Sequence, residues 1–190
     1  MRALALTFDD GPDCRYTPML LDLLKEAGAS ATFFVIAPRA ASQPELIERM
    51  HREGHAIGLH CDQHVRHSSR DHAWCAHDAD SALGRLREIG VKPLLWRTPW
   101  GDMAPWTARV AHERGLRLIG WTVDTNDWRG DRADEMFART WPDLEPGAIV
   151  LAHDGIGPGA LREGTEETIA YVRLVMEHTR RHRITLRPLA

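Results

Sequence analysis

Two rhythms of apolar and polar positions alternate along this chain from its first residues. The run Ala3-Leu4-Ala5-Leu6 and the following Thr7-Phe8 predict a strand over residues 2–8. A helical pattern follows, with Thr17 at the N-cap and Pro18 at the first helical position. Leu20, Leu21, Leu24 and Ala27 form its apolar face, and Gly28 stops it. The exchange then repeats, predicting strands over residues 31–36, 56–59, 93–97, 116–123 and 148–152 and a last one at 184–186. Ser42 and Glu45 have the spacing of a capping box for a helix through Leu46, Ile47 and Met50, closed by Gly54. Residues 71–89 place Ala79, Ala82, Leu83, Leu86 and Ile89 on one helical face. Further helices are predicted over residues 105–114, ending at Gly115, and over 131–141. A long helix after Thr165 carries Ile169, Val172, Val175 and Met176.

Strand–helix alternation without a linker or repeat predicts an α/β fold, a single domain over residues 1–190 with parallel strands wrapped by helices. The unbroken apolar strand Ala148-Ile149-Val150-Leu151 is what burial on both faces requires. Seven units in 190 residues point to a distorted or incomplete (β/α) barrel of about seven parallel strands. The alternative, an open doubly wound sheet, lacks a glycine-rich phosphate fingerprint at the first strand–helix turn.

Composition adds boundaries. The chain is 43% hydrophobic and 27% charged, with a net charge of −3 and basic residues scattered among acidic ones, so no basic block suits nucleic acid or an anionic membrane. No apolar run approaches a membrane span. The chain passes from Met1-Arg2 straight into the first strand, which leans towards a cytoplasmic protein, or a secreted one trimmed of its leader. Cys14, Cys61 and Cys75 do not form a disulfide framework, and no protein partner is evident.

Chemistry collects where the predicted strands end, which in a barrel of this kind is the face that carries the site. Asp9 and Asp10 end the first strand, ahead of a Gly11-Pro12 breaker; alone, this pair reads equally as a turn. His60 and His64 follow the third strand, and Arg97 ends the fourth. Asp124 and Asp127 follow the fifth, and His153-Asp154 the sixth. His60 and His64, four apart, would share one side of a helical turn and hold one metal, with His67 as the rival to His64. A carboxylate from Asp9 or Asp10 would complete three protein ligands and leave an open position, the count of a catalytic zinc site. Asp127 would orient the His153 ring, and a protonated His153 is a candidate general acid. Arg97 would pair with the catalytic carboxylate. Asp124 is equally read as a loop acid. Trp74, Trp100 and Trp106 are candidates for stacking on sugar rings near the rim.

In order, these residues resemble the polysaccharide deacetylase family (carbohydrate esterase family four). The matching motifs are Thr7-Phe8-Asp9-Asp10-Gly11-Pro12, His60-Cys61-Asp62-Gln63-His64, Arg97-Thr98-Pro99-Trp100-Gly101, Asp124-Thr125-Asn126-Asp127-Trp128 and Leu151-Ala152-His153. The resemblance implies a distorted barrel holding one divalent ion, zinc foremost and cobalt or nickel otherwise, that removes acetyl groups from N-acetylated sugars such as chitooligosaccharide or peptidoglycan. An O-acetyl esterase acting on xylan with the same site is the alternative. It implies Asp9 as base, Asp10, His60 and His64 as metal ligands, and Arg97 as the partner that orients Asp9. His153 is implied as general acid tuned by Asp127. Trp128 and Leu151 would wall the acetyl pocket, and the Trp100 backbone N–H would help hold the oxyanion. Cys61 departs from the family, where Ser or Thr follows the first metal histidine; that position is not a ligand in the family, so little effect on metal binding is expected, the alternative being a thiolate that competes for zinc.

Overall fold

A computed structural model describes residues 2–190. In chain order the elements are β1 (Ala3–Asp9), α1 (Tyr16–Glu26), β2 (Thr32–Ile36), α2 (Ala37–Ser42), α3 (Pro44–Arg52), β3 (Ala56–Cys61), α4 (His72–Glu88) and β4 (Leu95–Trp96). They continue with α5 (Thr107–Glu113), β5 (Arg117–Leu118), β6 (Val123–Asp124), α6 (Ala133–Thr140), β7 (Ile149–His153), α7 (Glu166–His182) and β8 (Thr185–Leu186). The strands pair in parallel in the order β5-β4-β3-β2-β1-β7-β6, with β8 added beside the start of β1. This is the incomplete barrel expected from the alternation, curled around β1. Among the described residues no helix is long and apolar enough to cross a membrane.

Strand alternation sorts the core from the site. Leu4, Leu6 and Phe8 of β1, Phe33 and Val35 of β2, Ile57 and Leu59 of β3, and Val150 and Ala152 of β7 pack into one apolar core with Leu20, Leu21 and Leu24 of α1 and Val172 and Val175 of α7. The residues between them therefore face the barrel interior: Thr7 and Asp9, Phe34, Gly58 and His60, Leu151 and His153. Gly58 has a packing reason, since a Cβ there would stand 2.6 Å from the Phe34 ring. The space it leaves lets Phe34 lie under the Arg97 guanidinium, 4.3 Å away.

The seam of the barrel differs from the prediction. The strand expected over residues 116–123 is two short strands, β5 at one edge paired with β4 and β6 at the other paired with β7. Arg97 explains the break between them. Its Nη2 donates to the carbonyl of Gly120 (2.9 Å) and its Nε to that of Ile119 (3.3 Å), taking backbone acceptors that a continuous ladder would have used.

Local caps also differ. Thr17 is not the N-cap of α1; Asp13 does that work, its Oδ1 accepting from the backbone N of Arg15 and Tyr16 at 2.8 and 2.9 Å. The Thr17 hydroxyl instead accepts from Asp13 N and donates to Asp154 Oδ2 at 2.6 Å. The Ser42–Glu45 capping box is absent. Residues 37–42 form the separate helix α2, where Ser42 Oγ turns back onto the Arg39 carbonyl, and α3 opens at Pro44. The helix expected over residues 71–89 is α4, and Asp71 caps it, its Oδ1 accepting from Trp74 N at 2.8 Å.

Candidate active site

Asp9 and Asp10 both reach the barrel mouth, although neighbours in an extended strand point to opposite faces. The reason is backbone conformation: Asp10 has φ of 72°, in the left-handed region, so the chain turns as β1 ends. Arg39 supports the turn, donating to the Asp10 carbonyl at 2.7 Å. Asp154, buried behind Gly11, packs so closely that a Cβ on Gly11 would collide with its carboxylate. Burial, with Asp10 and Asp9 nearby, pushes Asp154 up to about 7, against the hydrogen bond that Thr17 donates.

Asp10, His60 and His64 bring one ligand atom each within 4.8 Å of one another. His60 is the penultimate residue of β3 and His64 lies in the loop beyond it, so the helical turn expected for this pair does not exist. The bend of the chain out of β3 turns His64 back over the strand end instead. His60 Nδ1 donates to the Arg97 carbonyl at 2.7 Å. Because a carbonyl only accepts, Nδ1 carries the proton and Nε2 presents its lone pair to the site, the usual support of a metal-binding histidine. His60 Nε2 and His64 Nε2 stand 3.3 and 3.1 Å from Asp10 Oδ1.

Those distances are short, yet Asp10 Oδ1 is buried without a hydrogen-bond partner. The Nε2 lone pair of His60 and the Nε2 of His64 converge on this unsatisfied carboxylate oxygen, an arrangement that a cation would complete. The donor set of two imidazoles and one carboxylate fits a divalent ion with a position left open. His67 is no rival to His64: it is buried elsewhere, its Nδ1 beside Thr107 Oγ1 at 3.1 Å. Cys61 is no rival either. Its side chain lies on the core face of β3, and burial raises its thiol well above the ordinary value, which disfavours the thiolate that would compete for zinc.

Asp9 stands beside this cluster, buried, with Arg97 Nη1 donating to its Oδ1 at 2.9 Å. The same Nη1 donates to Thr7 Oγ1 at 2.7 Å, and the Arg97 side chain is fully buried. Arg97 thus serves twice, its carbonyl setting the His60 tautomer and its guanidinium fixing Asp9.

His153 closes the site from β7, whose register sets it against Asp9. Its Nδ1 donates to Asp127 Oδ1 at 2.7 Å. Burial works to lower the His153 pKa, but Asp127 overrides it, helped by Asp9 and Asp10, and the ring is raised to about 9. Asp127, fully buried, is held below the usual carboxylate range by His153 and Arg162 against the effect of burial.

A cavity of about 600 Å³ opens over these groups. Asp9, Asp10, His60, His64 and His153 form its floor, and Trp100, Trp128 and Leu151 also line it. Asp124 lines it too, while its Oδ1 accepts from Asn126 N at 2.8 Å, the bond of a loop acid. Trp100 has φ of 56° and packs edge-on against His64, with ring centroids 4.2 Å apart. Trp74 and Trp106 do not line the cavity; Trp121 does, and the sequence reading passed over it. Arg162 was missed as well. No periodicity marks it, since it sits in an irregular loop and meets Asp127 only through the tertiary fold.

Comparison with known proteins agrees with this geometry. A family model described as polysaccharide deacetylase matches residues 1–119. Over 169 residues the chain is 37% identical to a chitooligosaccharide deacetylase of Bradyrhizobium sp., covering 88% of this chain and 77% of that one. It is 32% identical over 169 residues to a peptidoglycan-N-acetylglucosamine deacetylase of Bacillus cereus, covering 87% of this chain and 60% of that protein. A solved peptidoglycan N-acetylglucosamine deacetylase, in complex with 4-naphthalen-1-yl-N-oxidanyl-benzamide, superposes with a TM-score of 0.90 at 27% identity, covering 98% and 86% of the two chains. The strand-end motifs, the curled parallel sheet and these relatives lead to one conclusion: the chain belongs to the polysaccharide deacetylase family.

Proposed function

We propose that this protein is a metal-dependent hydrolase that removes the acetyl group from an N-acetylated sugar and releases acetate. The observation that carries this reading is the unsatisfied, buried Asp10 Oδ1 facing His60 and His64 at the floor of an open cleft, with a carboxylate and an imidazole beside it. Relatives named for N-acetylglucosamine or chitooligosaccharide deacetylation support the substrate class.

Asp10, His60 and His64 would hold the ion, zinc foremost and cobalt or nickel otherwise, as the family resemblance implies. When bound, it would supply Lewis-acid polarisation of the acyl carbonyl and lower the pKa of a water. Asp9 takes the proton of the attacking water, its orientation held by Arg97. The acyl carbon becomes tetrahedral, and the Trp100 backbone N–H donates to the oxygen on which charge develops. His153, protonated through its pairing with Asp127, gives its proton to the departing sugar nitrogen as the C–N bond breaks. Acetate and the free amine result. Trp128 and Leu151 flank the space for the acetyl methyl.

Acetate release from a panel of chitooligosaccharide, peptidoglycan fragments and acetylated xylan, with and without added zinc or cobalt, tests this function. Metal-dependent release from the N-acetylated glycans is expected. Release from acetylated xylan alone would replace the amidase reading with an O-acetyl esterase.

A further inference from the structure

Arg162 lies in the loop between β7 and α7, with only 6% of its side chain exposed. Its Nη1 donates to Asp127 Oδ2 at 2.8 Å and also to the Thr168 hydroxyl. Its Nη2 donates to the carbonyls of His153 and Gly155, at 3.2 and 3.1 Å. Asp127 Oδ2 thereby accepts from three donors: Arg162, Thr168 Oγ1 at 2.7 Å and the His153 backbone N at 3.0 Å. Oδ1 alone is left for the imidazole. A carboxylate with two free oxygens can rotate and offer either one; this carboxylate cannot.

The guanidinium is planar and its donors diverge at fixed angles. One rigid group therefore holds the carboxylate, the backbone of the histidine paired with it, and the loop leaving β7.

We propose that Arg162 is a positioning residue for the His153–Asp127 pair: it reserves Asp127 Oδ1 for the imidazole and fixes the ring at the angle from which Nε2 faces the cleft. The proposal rests on the deacetylase reading for its kinetic consequence, but not for its structural one. An arginine is required because a lysine ammonium is a point charge on a flexible stem and cannot span Asp127, Thr168 and two carbonyls at once.

The structural arm is proton NMR of the whole protein, with and without zinc. The strongly deshielded His153 Nδ1 proton, assigned by its loss in His153→Gln, is expected in the wild type and broadened or absent in Arg162→Met and Arg162→Lys. In the kinetic arm, both variants should lose kcat by about tenfold or more while KM changes by less than about twofold, the pattern of a group acting only in the transition state. Added guanidinium chloride should restore kcat to Arg162→Ala. An unaltered Nδ1 resonance in the folded variants, or a kcat loss in Arg162→Ala that guanidinium does not restore, overturns the proposal. The NMR arm needs no turnover, so it decides the role of Arg162 even on substrates where the wild type releases no acetate, a result that would count only against deacetylation.

Discussion

Asp127→Asn is the substitution that most directly tests the acid half of the site. Asn keeps the size and one acceptor oxygen but removes the charge 2.7 Å from His153 Nδ1. That charge leads the interactions that lift the imidazole from an ordinary 6.5 to about 9 against burial, which alone would lower it. A difference of this size corresponds to about 3 kcal/mol of preference for the protonated ring. With a pKa of 9, about 90% of His153 is protonated near pH 8; with 6.5, about 3% is, so the competent fraction falls roughly thirtyfold. A divalent ion on Asp10 would cancel part of the lift that Asp10 supplies, placing the basic limb of the loaded wild type at or somewhat below pH 9. The assay is kcat against pH with zinc at saturation. The basic limb should move down by about two units in Asp127→Asn, with the deficit growing as pH rises. Stability follows the same sign. The folded pKa is raised, so the stabilisation is complete below about pH 6.5 and is lost as pH climbs through 9. A basic limb that stays at its wild-type position in Asp127→Asn would falsify the claim that Asp127 holds the proton on His153.

Other outcomes follow from the same geometry. Asp9→Asn should abolish turnover while metal content stays near one ion per chain, whereas His60→Ala should lose both; metal analysis of the purified proteins beside acetate release separates base from ligand. Arg97→Met strands the buried Asp9 carboxylate and frees the carbonyls of Ile119 and Gly120, a change expected to cost about 3–5 kcal/mol in urea unfolding; a loss under about 1 kcal/mol would mean that water replaces the guanidinium. In Gly157→Ala the new Cβ would land on Asp10 Oδ2, so zinc affinity measured by chelator competition should weaken by about tenfold or more; unchanged affinity would show that the loop carrying Gly157 yields freely.

Much of this site was legible in the chain because parallel strands wrapped by helices put their C-terminal ends on one face. Asp9, His60 and His153 each sit at such an end, and period-two alternation gives them the interior face opposite Phe8, Leu59 and Ala152. The order of elements, the incomplete barrel and the convergence of five unit ends were thus local information, carried by hydrophobic rhythm and by where polar residues interrupt it. The helical turn assumed for His60 and His64 failed because a spacing of four is also compatible with a strand end followed by a bend. Thr17 failed as a cap because Asp13 and Asp154 outcompeted the local role of its hydroxyl.

The sequence by itself determined which residues could meet: the hydrophobic period sets each element, and the element sets the face of every side chain on it. Only the tertiary structure decided which of them do. Residues 116–123 read as one strand, but they divide between β5 and β6 at opposite edges of the sheet. Arg162 reaches Asp127 across 35 residues of chain, and Trp121 enters the cleft from the seam. Contacts of that kind depend on curvature and on competition for backbone carbonyls, as Arg97 shows at Ile119 and Gly120. Neither leaves a periodic trace in one dimension.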